Sequence, residues 1–227
     1  MNLRHSNSLT PEPLTRIAAQ MAGLPAQWCL CGGWAVDAWL GRTTREHGDV
    51  DISVFAQDQG RLFEHLHGWQ LLAHGPAWDP NDDEQWWDGR RALPAGTHIH
   101  ARGPEAAGPM PPGGLARSED GFWVEFYLDD RSGDDWILSR QPSITLPVRN
   151  AIAEATWGLP VVAPEILLFF KSRDLRSNDM LDFRELLPPL TPTQREWLHD
   201  AISRLGHPWL NDLARKETPQ RKTTNRL

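Results

Sequence analysis

Only two of the 227 residues are cysteine and one is tyrosine, against twelve tryptophans. Two cysteines, Cys29 and Cys31, make neither a disulfide framework nor a structural zinc site. Their "CLC" spacing is not a CxxC redox pair. As alternate residues of a strand they share one face, and buried reduced thiols are the expected state. A long apolar run is also missing. Nothing approaches the ~18 residues that cross a bilayer. The start, "MNLRHSNSLTPEP", has no apolar core of signal-peptide length. A cytoplasmic protein is the expectation. A basic excess is absent too: the net charge is −7, where a general nucleic-acid binder shows a basic face. A nucleotide or a cationic substrate both remain compatible with that charge.

Apolar residues make up 40% of the chain, enough for a core. Most tryptophans should be core or pocket walls. Trp86 and Trp87 sit in an acidic polar stretch and are expected to line an exposed site. The first helix is expected over 11–21, with Thr10 as N-cap and Pro11 in the first helical position. "AQWCLC" reads as a short buried strand. Gly32-Gly33 turns into a helix over Trp34 to Leu40, and Gly41 ends it.

The stretch from Asp49 to Phe55 alternates strictly. Val50, Ile52 and Val54 face one way; Asp49, Asp51, Ser53 and Phe55 face the other. A half-buried strand results, with its carboxylates on the open face. A helix over 59–67 and a strand at "WQLLAH" follow. Residues 75–121 are rich in Pro, Gly and acidic residues, with a strand expected near Thr97 to Ala101. "GFWVEFYLDD" alternates again: Phe122, Val124, Phe126 and Leu128 on one face, Trp123, Glu125 and Tyr127 on the other. "DDWILS" continues it as a hairpin. After Pro160 the pattern turns helical. Pro164 opens one helix, a short one spans 179–187, and "TPTQREWLHDAISRL" carries a capping box of Thr191 and Gln194. The predicted layout is a catalytic domain over 1–158, a helical C-terminal subdomain over 159–212 and a disordered basic tail over 213–227. Strands and helices mixed, then helices alone, argue for an α+β fold.

Asp49 and Asp51 are two apart on a strand, so their Cα atoms lie roughly 6.6 Å apart on one face. Both can converge on a hard cation such as Mg²⁺, which takes one or two carboxylates and completes its shell with substrate phosphates. Two such ions about 3.5–4 Å apart clamp the oxygens of an in-line phosphoryl displacement. Glu125, 74 residues beyond Asp51, completes a three-carboxylate cluster if its strand lies beside the first. The Gly32-Gly33 turn exposes backbone N–H groups at a helix N-terminus, a site for phosphate. The bland reading of Asp49 and Asp51 is a solvated strand edge.

Gly32-Gly33-Trp34-Ala35-Val36-Asp37, then Gly41, Thr44-Arg45-Glu46-His47 and Asp49-Val50-Asp51 resemble the signature of the polymerase-beta-type nucleotidyltransferases. The resemblance is to the small aminoglycoside and lincosamide members in particular. A looser likeness reaches the Glu125 strand and "KSRDLRSNDMLDF". It implies a nucleotidyltransferase-type mixed sheet with flanking helices, followed by a helical part. It also implies transfer of a nucleoside monophosphate, AMP from ATP or its counterpart from another NTP, to a hydroxyl, with release of pyrophosphate. The triphosphate would sit at Gly32 and Gly33, with two Mg²⁺ at Asp49, Asp51 and Glu125. Glu125 would be a metal ligand or the base taking the hydroxyl proton. Relatives often carry aspartate there.

Arg45 and His47 either contact the triphosphate or are structural. Lys171 either neutralises it or snorkels. Asp37 orients the loop or is a surface charge. Asp179 and Asp182 are expected to cap or pair within the helical part, and His98 and His100 lack a third zinc ligand. The acidic groups at Asp79, Asp82, Asp83, Glu84 and Asp88, and at Asp129, Asp130, Asp134 and Asp135, would favour a cationic acceptor if they overhang the site. Three acceptor readings stand: a small hydroxylated antibiotic, a protein or tRNA, or none, in a silent nucleotide-binding protein.

Overall fold

A computed structural model describes residues 9–75, 85–104 and 123–213. In chain order they form α1 (Glu12–Met21), β1 (Trp28–Leu30), α2 (Gly32–Leu40), β2 (Val50–Phe55), α3 (Gln59–His65), β3 (Gln70–His74), β4 (Gln85–Trp86), β5 (His98–Arg102), β6 (Trp123–Ser132), β7 (Asp135–Ile137), β8 (Thr145–Pro147), α4 (Val148–Ala151), β9 (Ile152–Glu154), β10 (Pro160–Val162), α5 (Pro164–Lys171), α6 (Ser177–Leu186), α7 (Pro192–Ser203) and α8 (Leu210–Leu213).

The strands join one mixed sheet in the order β4-β3-β5-β6-β2-β1-β10-β9, with β7 and β8 continuing from β6. At its centre β2 and β6 run parallel, and Asp51 pairs with Glu125 in register. The neighbours β1 and β5 are antiparallel to them. Alternation explains the core: Val50, Ile52 and Val54 of β2, and Val124, Phe126 and Leu128 of β6, are all buried. The other face of β2 is open only at its start. Ser53 and Phe55 are buried as well. The expected half-open strand is therefore open at Asp51 alone, and Asp49 precedes the strand in an exposed bend.

Three further differences have local causes. The N-cap of α1 falls on Pro11 and takes no side-chain bond, rather than on Thr10. Trp86 is 60% exposed as expected, but Trp87 is buried, edge-on to Phe63 with ring centroids 5.2 Å apart. Strand structure continues past Pro160: β10 pairs parallel with β1 and antiparallel with β9. Its three residues are too few to show a period, so only their partners make them a strand.

Arg140 ties the sheet to the helices. Its Nη1 donates to the Phe169 carbonyl and to Ser172 Oγ, and its Nη2 to the Ser172 carbonyl at 3.1 Å. These bonds satisfy acceptors at the end of α5 that have no partner within the helix. The expected capping box of Thr191 and Gln194 opens α7, and Leu198, Ala201 and Ile202 form its buried stripe.

Candidate active site

The chain turns sharply between β1 and α2 beside Asp51. Cys31 N–H donates to the Asp51 carbonyl at 3.0 Å, and Cys31 then caps α2 with no side-chain bond. Gly32 takes φ +64°, and a Cβ there would lie 1.6 Å from Asp51 Oδ2. A Cβ on Gly33 would lie 2.4 Å from both Arg45 Nη2 and His47 Nδ1. The glycine pair therefore lets a carboxylate and two nitrogen-bearing side chains close on the start of a helix. The first-turn N–H groups of a helix have no intrahelical partner and favour an anion. Gly32→Ala should both strain the left-handed turn and displace Asp51. We expect its divalent-cation affinity, measured by calorimetry, to fall at least about 10-fold.

Asp49, Asp51 and Glu125 each offer an oxygen within 4.8 Å of the other two. Three hard oxygen donors this close suit a small divalent cation. The electrostatics agree. Burial pushes the Asp51 carboxyl up to about 8, and the charges of Asp49 and Glu125 add to the effect. A cation supplies the charge that this corner needs. Tyr127, the single tyrosine, donates its hydroxyl to Asp51 Oδ1 at 3.4 Å. Its place two residues beyond Glu125, on the same face of β6, was the available signal for it.

Glu125 behaves oppositely. Burial alone would raise its pKa, but the imidazoles of His100 and His98 outweigh it and hold the carboxyl at about 2. His98 Nδ1 lies 2.9 Å from Glu125 Oε1. His98 and His100, expected only to alternate on a strand, thus serve a carboxylate.

The loop from α2 to β2 hangs on Asp37, which is fully buried. Asp37 Oδ1 accepts from Thr44 N–H at 3.1 Å and Thr44 Oγ1 at 2.5 Å, and its Oδ2 meets His47 Nε2 at 2.5 Å. His47 also packs on Trp34, ring centroids 4.3 Å apart. A cavity of about 540 Å³ opens against this loop, lined by Trp34 and residues 43–47.

Arg45 and Lys171 converge on Asp182. Arg45 Nε and Nη2 reach its two oxygens at 3.0 and 3.1 Å, and Lys171 Nζ reaches Oδ2 at 2.6 Å. Asp179 pairs within the helical part as expected, closing a capping box with Arg176. Asp182 pairs there too, with Lys171 of α5, and through Arg45 it also joins α6 to the loop before β2. The acidic groups divide. Asp79, Asp82, Asp83 and Glu84 lie outside the described residues, while Asp88 is exposed. Asp129 is buried and accepts from the Ser53 hydroxyl, so it overhangs nothing. Asp130 lies five residues along β6 from Glu125, about 17 Å by strand rise, and Asp134 and Asp135 follow the same way. That group is remote from the site.

Residues 13–74 match the family described as aminoglycoside-2''-adenylyltransferase. A lincosamide resistance protein of Staphylococcus haemolyticus is 31% identical over 78 residues, 34% of this chain and 47% of that protein. A 2''-aminoglycoside nucleotidyltransferase of Escherichia coli is 47% identical over 45 residues, 20% of this chain and 24% of that protein. The matches thus span about half of the first relative and a quarter of the second. Among solved structures, ANT(2'')-Ia in complex with adenylyl-2''-tobramycin superposes with a TM-score of 0.53 at 16% identity, covering 85% of this chain and 96% of that one. The lincomycin-bound lincosamide adenylyltransferase LnuA superposes at 0.50 with 19% identity, covering 80% and 98%. The matched segment holds the glycine turn, Arg45, His47, Asp49 and Asp51. In residues 13–74 the chain is similar to aminoglycoside and lincosamide nucleotidyltransferases, and its fold is like that of the two solved adenylyltransferases.

Proposed function

We propose that the protein is a Mg²⁺-dependent nucleotidyltransferase that moves AMP from ATP to a hydroxyl of a small antibiotic of the aminoglycoside or lincosamide kind. One observation carries the reading. Parallel pairing sets Glu125 directly opposite Asp51, and their carboxylates, with that of Asp49, lie within 4.8 Å of one another. In this reading Asp49, Asp51 and Glu125 would hold the divalent metal, two ions in the full complex. Bound there, the metal supplies Lewis-acid neutralisation of the phosphate oxygens. The N–H groups at Gly32 and Gly33 would receive the triphosphate, with Arg45, His47 and Lys171 around it. The acceptor hydroxyl oxygen attacks the α-phosphorus, the bond to the bridging oxygen breaks, and pyrophosphate leaves. The hydroxyl proton passes to water, since Glu125, held at about 2, is a weak base.

The domain division follows the same reading, with one adjustment. Because β10 belongs to the sheet, the catalytic part would extend from 158 to Ala163, and the helical part would begin at Pro164. Residues 214–227 of the tail lie outside the described residues. Among the described residues no helix is long and apolar enough to cross a membrane, and we assign the protein to the cytoplasm.

The test is incubation with Mg²⁺, ATP labelled at the α-phosphorus, and a panel of aminoglycosides and lincosamides. Label on an antibiotic, with stoichiometric pyrophosphate, is the expected result. Label on protein or tRNA instead would replace the acceptor class. ATP binding without pyrophosphate release under any condition would overturn the reading.

A further inference from the structure

Glu125 faces two ways. On one side it closes the carboxylate cluster; on the other it meets two histidines of β5, with a third from β3 behind them. The register explains how. In the antiparallel pair of β5 and β6, His100 stands opposite Glu125 and His98 opposite Tyr127. One strand further out, His100 stands opposite Leu72 and His74 opposite His98. Both β5 imidazoles address a single oxygen: His98 Nδ1 lies 2.9 Å from Glu125 Oε1 and His100 Nε2 lies 3.7 Å from it. Behind them His74 Nε2 meets His100 Nδ1 at 2.7 Å.

We infer that His98 and His100, backed by His74, are positioning residues that fix the Glu125 carboxylate so that it can serve the metal corner. This rests on the nucleotidyltransferase reading of that corner.

The chemistry of the partners assigns the protons. An ionised carboxylate only accepts, so His98 carries its proton on Nδ1 and His100 on Nε2. His100 Nδ1 is then an acceptor, and His74 donates its Nε2–H to it. His74 is neutral here, because burial, and then the neighbouring His100, lower its pKa to about 4. The His98 donor on Oε1, with His100 Nε2 3.7 Å from the same oxygen, fixes the plane of the carboxylate. A purely structural ion pair needs no such orientation. Here the same carboxylate has the Asp49 and Asp51 oxygens within 4.8 Å. Histidines around a ligating carboxylate act as outer-shell partners do at metal sites, where their loss costs about 10- to 100-fold in affinity or activity.

The probe is Mn²⁺ alone, titrated calorimetrically into the full chain. His98→Ala and His98→Leu remove the donor; His98→Asn places an amide N–H near the position of Nδ1. His98 is the most exposed of the contacts to Glu125, its side chain 36% accessible, so these changes spare the core. We expect Ala and Leu to weaken Mn²⁺ binding about 10-fold and Asn to recover most of that loss, with melting temperatures alike. A merely structural role would lower all three melting temperatures and leave affinity unmoved. Affinity of His98→Ala within twofold of wild type would overturn the inference. Wild-type protein that binds no Mn²⁺ would instead overturn the reading of the corner itself.

Discussion

Asp51→Asn should raise the stability of the metal-free protein while removing at least about 10³-fold of its nucleotidyl-transfer rate, the scale of several kcal/mol of metal-based charge stabilisation. The opposite signs have one cause. The Asp51 carboxyl has a pKa of about 8 in the folded chain against 3.8 when free. Between those values the folded state holds a proton that the unfolded chain has released. Stability from this group is therefore fully present at low pH and is lost as pH rises towards 8. In chelator at pH 8.5 the wild type pays the whole cost, and the neutral isostere does not. A melting temperature at least about 5 °C higher for the variant is expected there, since each kcal/mol moves a chain of this size about 2–4 °C. At pH 4 the two curves should converge. Mg²⁺ should stabilise the wild type and leave the variant nearly unchanged, and its effect should grow from pH 6 to 9, because the cation displaces the Asp51 proton. Pyrophosphate release within 10-fold of wild type would sink the metal assignment.

The second large effect concerns Asp182. Its side chain is 1% exposed and bonds two cations, Arg45 at 18% and Lys171 at 8%. Removing one partner of a buried pair costs about 3–5 kcal/mol, because the remaining charge stays uncompensated. Asp182→Asn keeps the shape and one acceptor oxygen but leaves Arg45 facing a neutral group and Lys171 with only Asp179, 3.6 Å away. A fall in melting temperature of about 10 °C is expected. ATP with Mg²⁺ should then raise the melting temperature of the variant by more than it raises that of the wild type, because the triphosphate replaces the missing counter-charge. Equal nucleotide-induced shifts would mean that Arg45 and Lys171 do not face the triphosphate.

Much of this corner was legible in the chain. Period-two alternation separated Asp51 and Glu125 from the apolar faces of their strands, and the glycine pair marked the helix start. Alternation is local, so it carries no information about which strand lies beside which. The pairing of Asp51 with Glu125 is a tertiary fact and stood in the sequence only as a condition. The same limit hid the histidines: their strand was expected within a residue, yet their meaning depends on facing Glu125. Arg45 and Lys171 were read as cations for phosphate without sight of Asp182, because a residue in α6 gives no sign of reaching the loop before β2. Trp87 looked exposed from its acidic neighbours, and packing on Phe63 decided otherwise.

The parallel pairing of β2 with β6 has a consequence for how such a chain can change. Everything from Ala56 to Phe122 is one excursion that leaves one central strand and returns to the other. Its strands β3, β4 and β5 lie on one side of that pair, while β1, β10, β9 and the glycine turn lie on the other. Closing a longer loop costs little, roughly 0.6 kcal/mol for each doubling. Insertions and deletions in the connecting loops of the excursion therefore have small leverage on the register of Asp51 and Glu125. Those loops can be remodelled over evolutionary time, while β5 and its histidines stay tied to β6 and the other flank keeps its glycines in place.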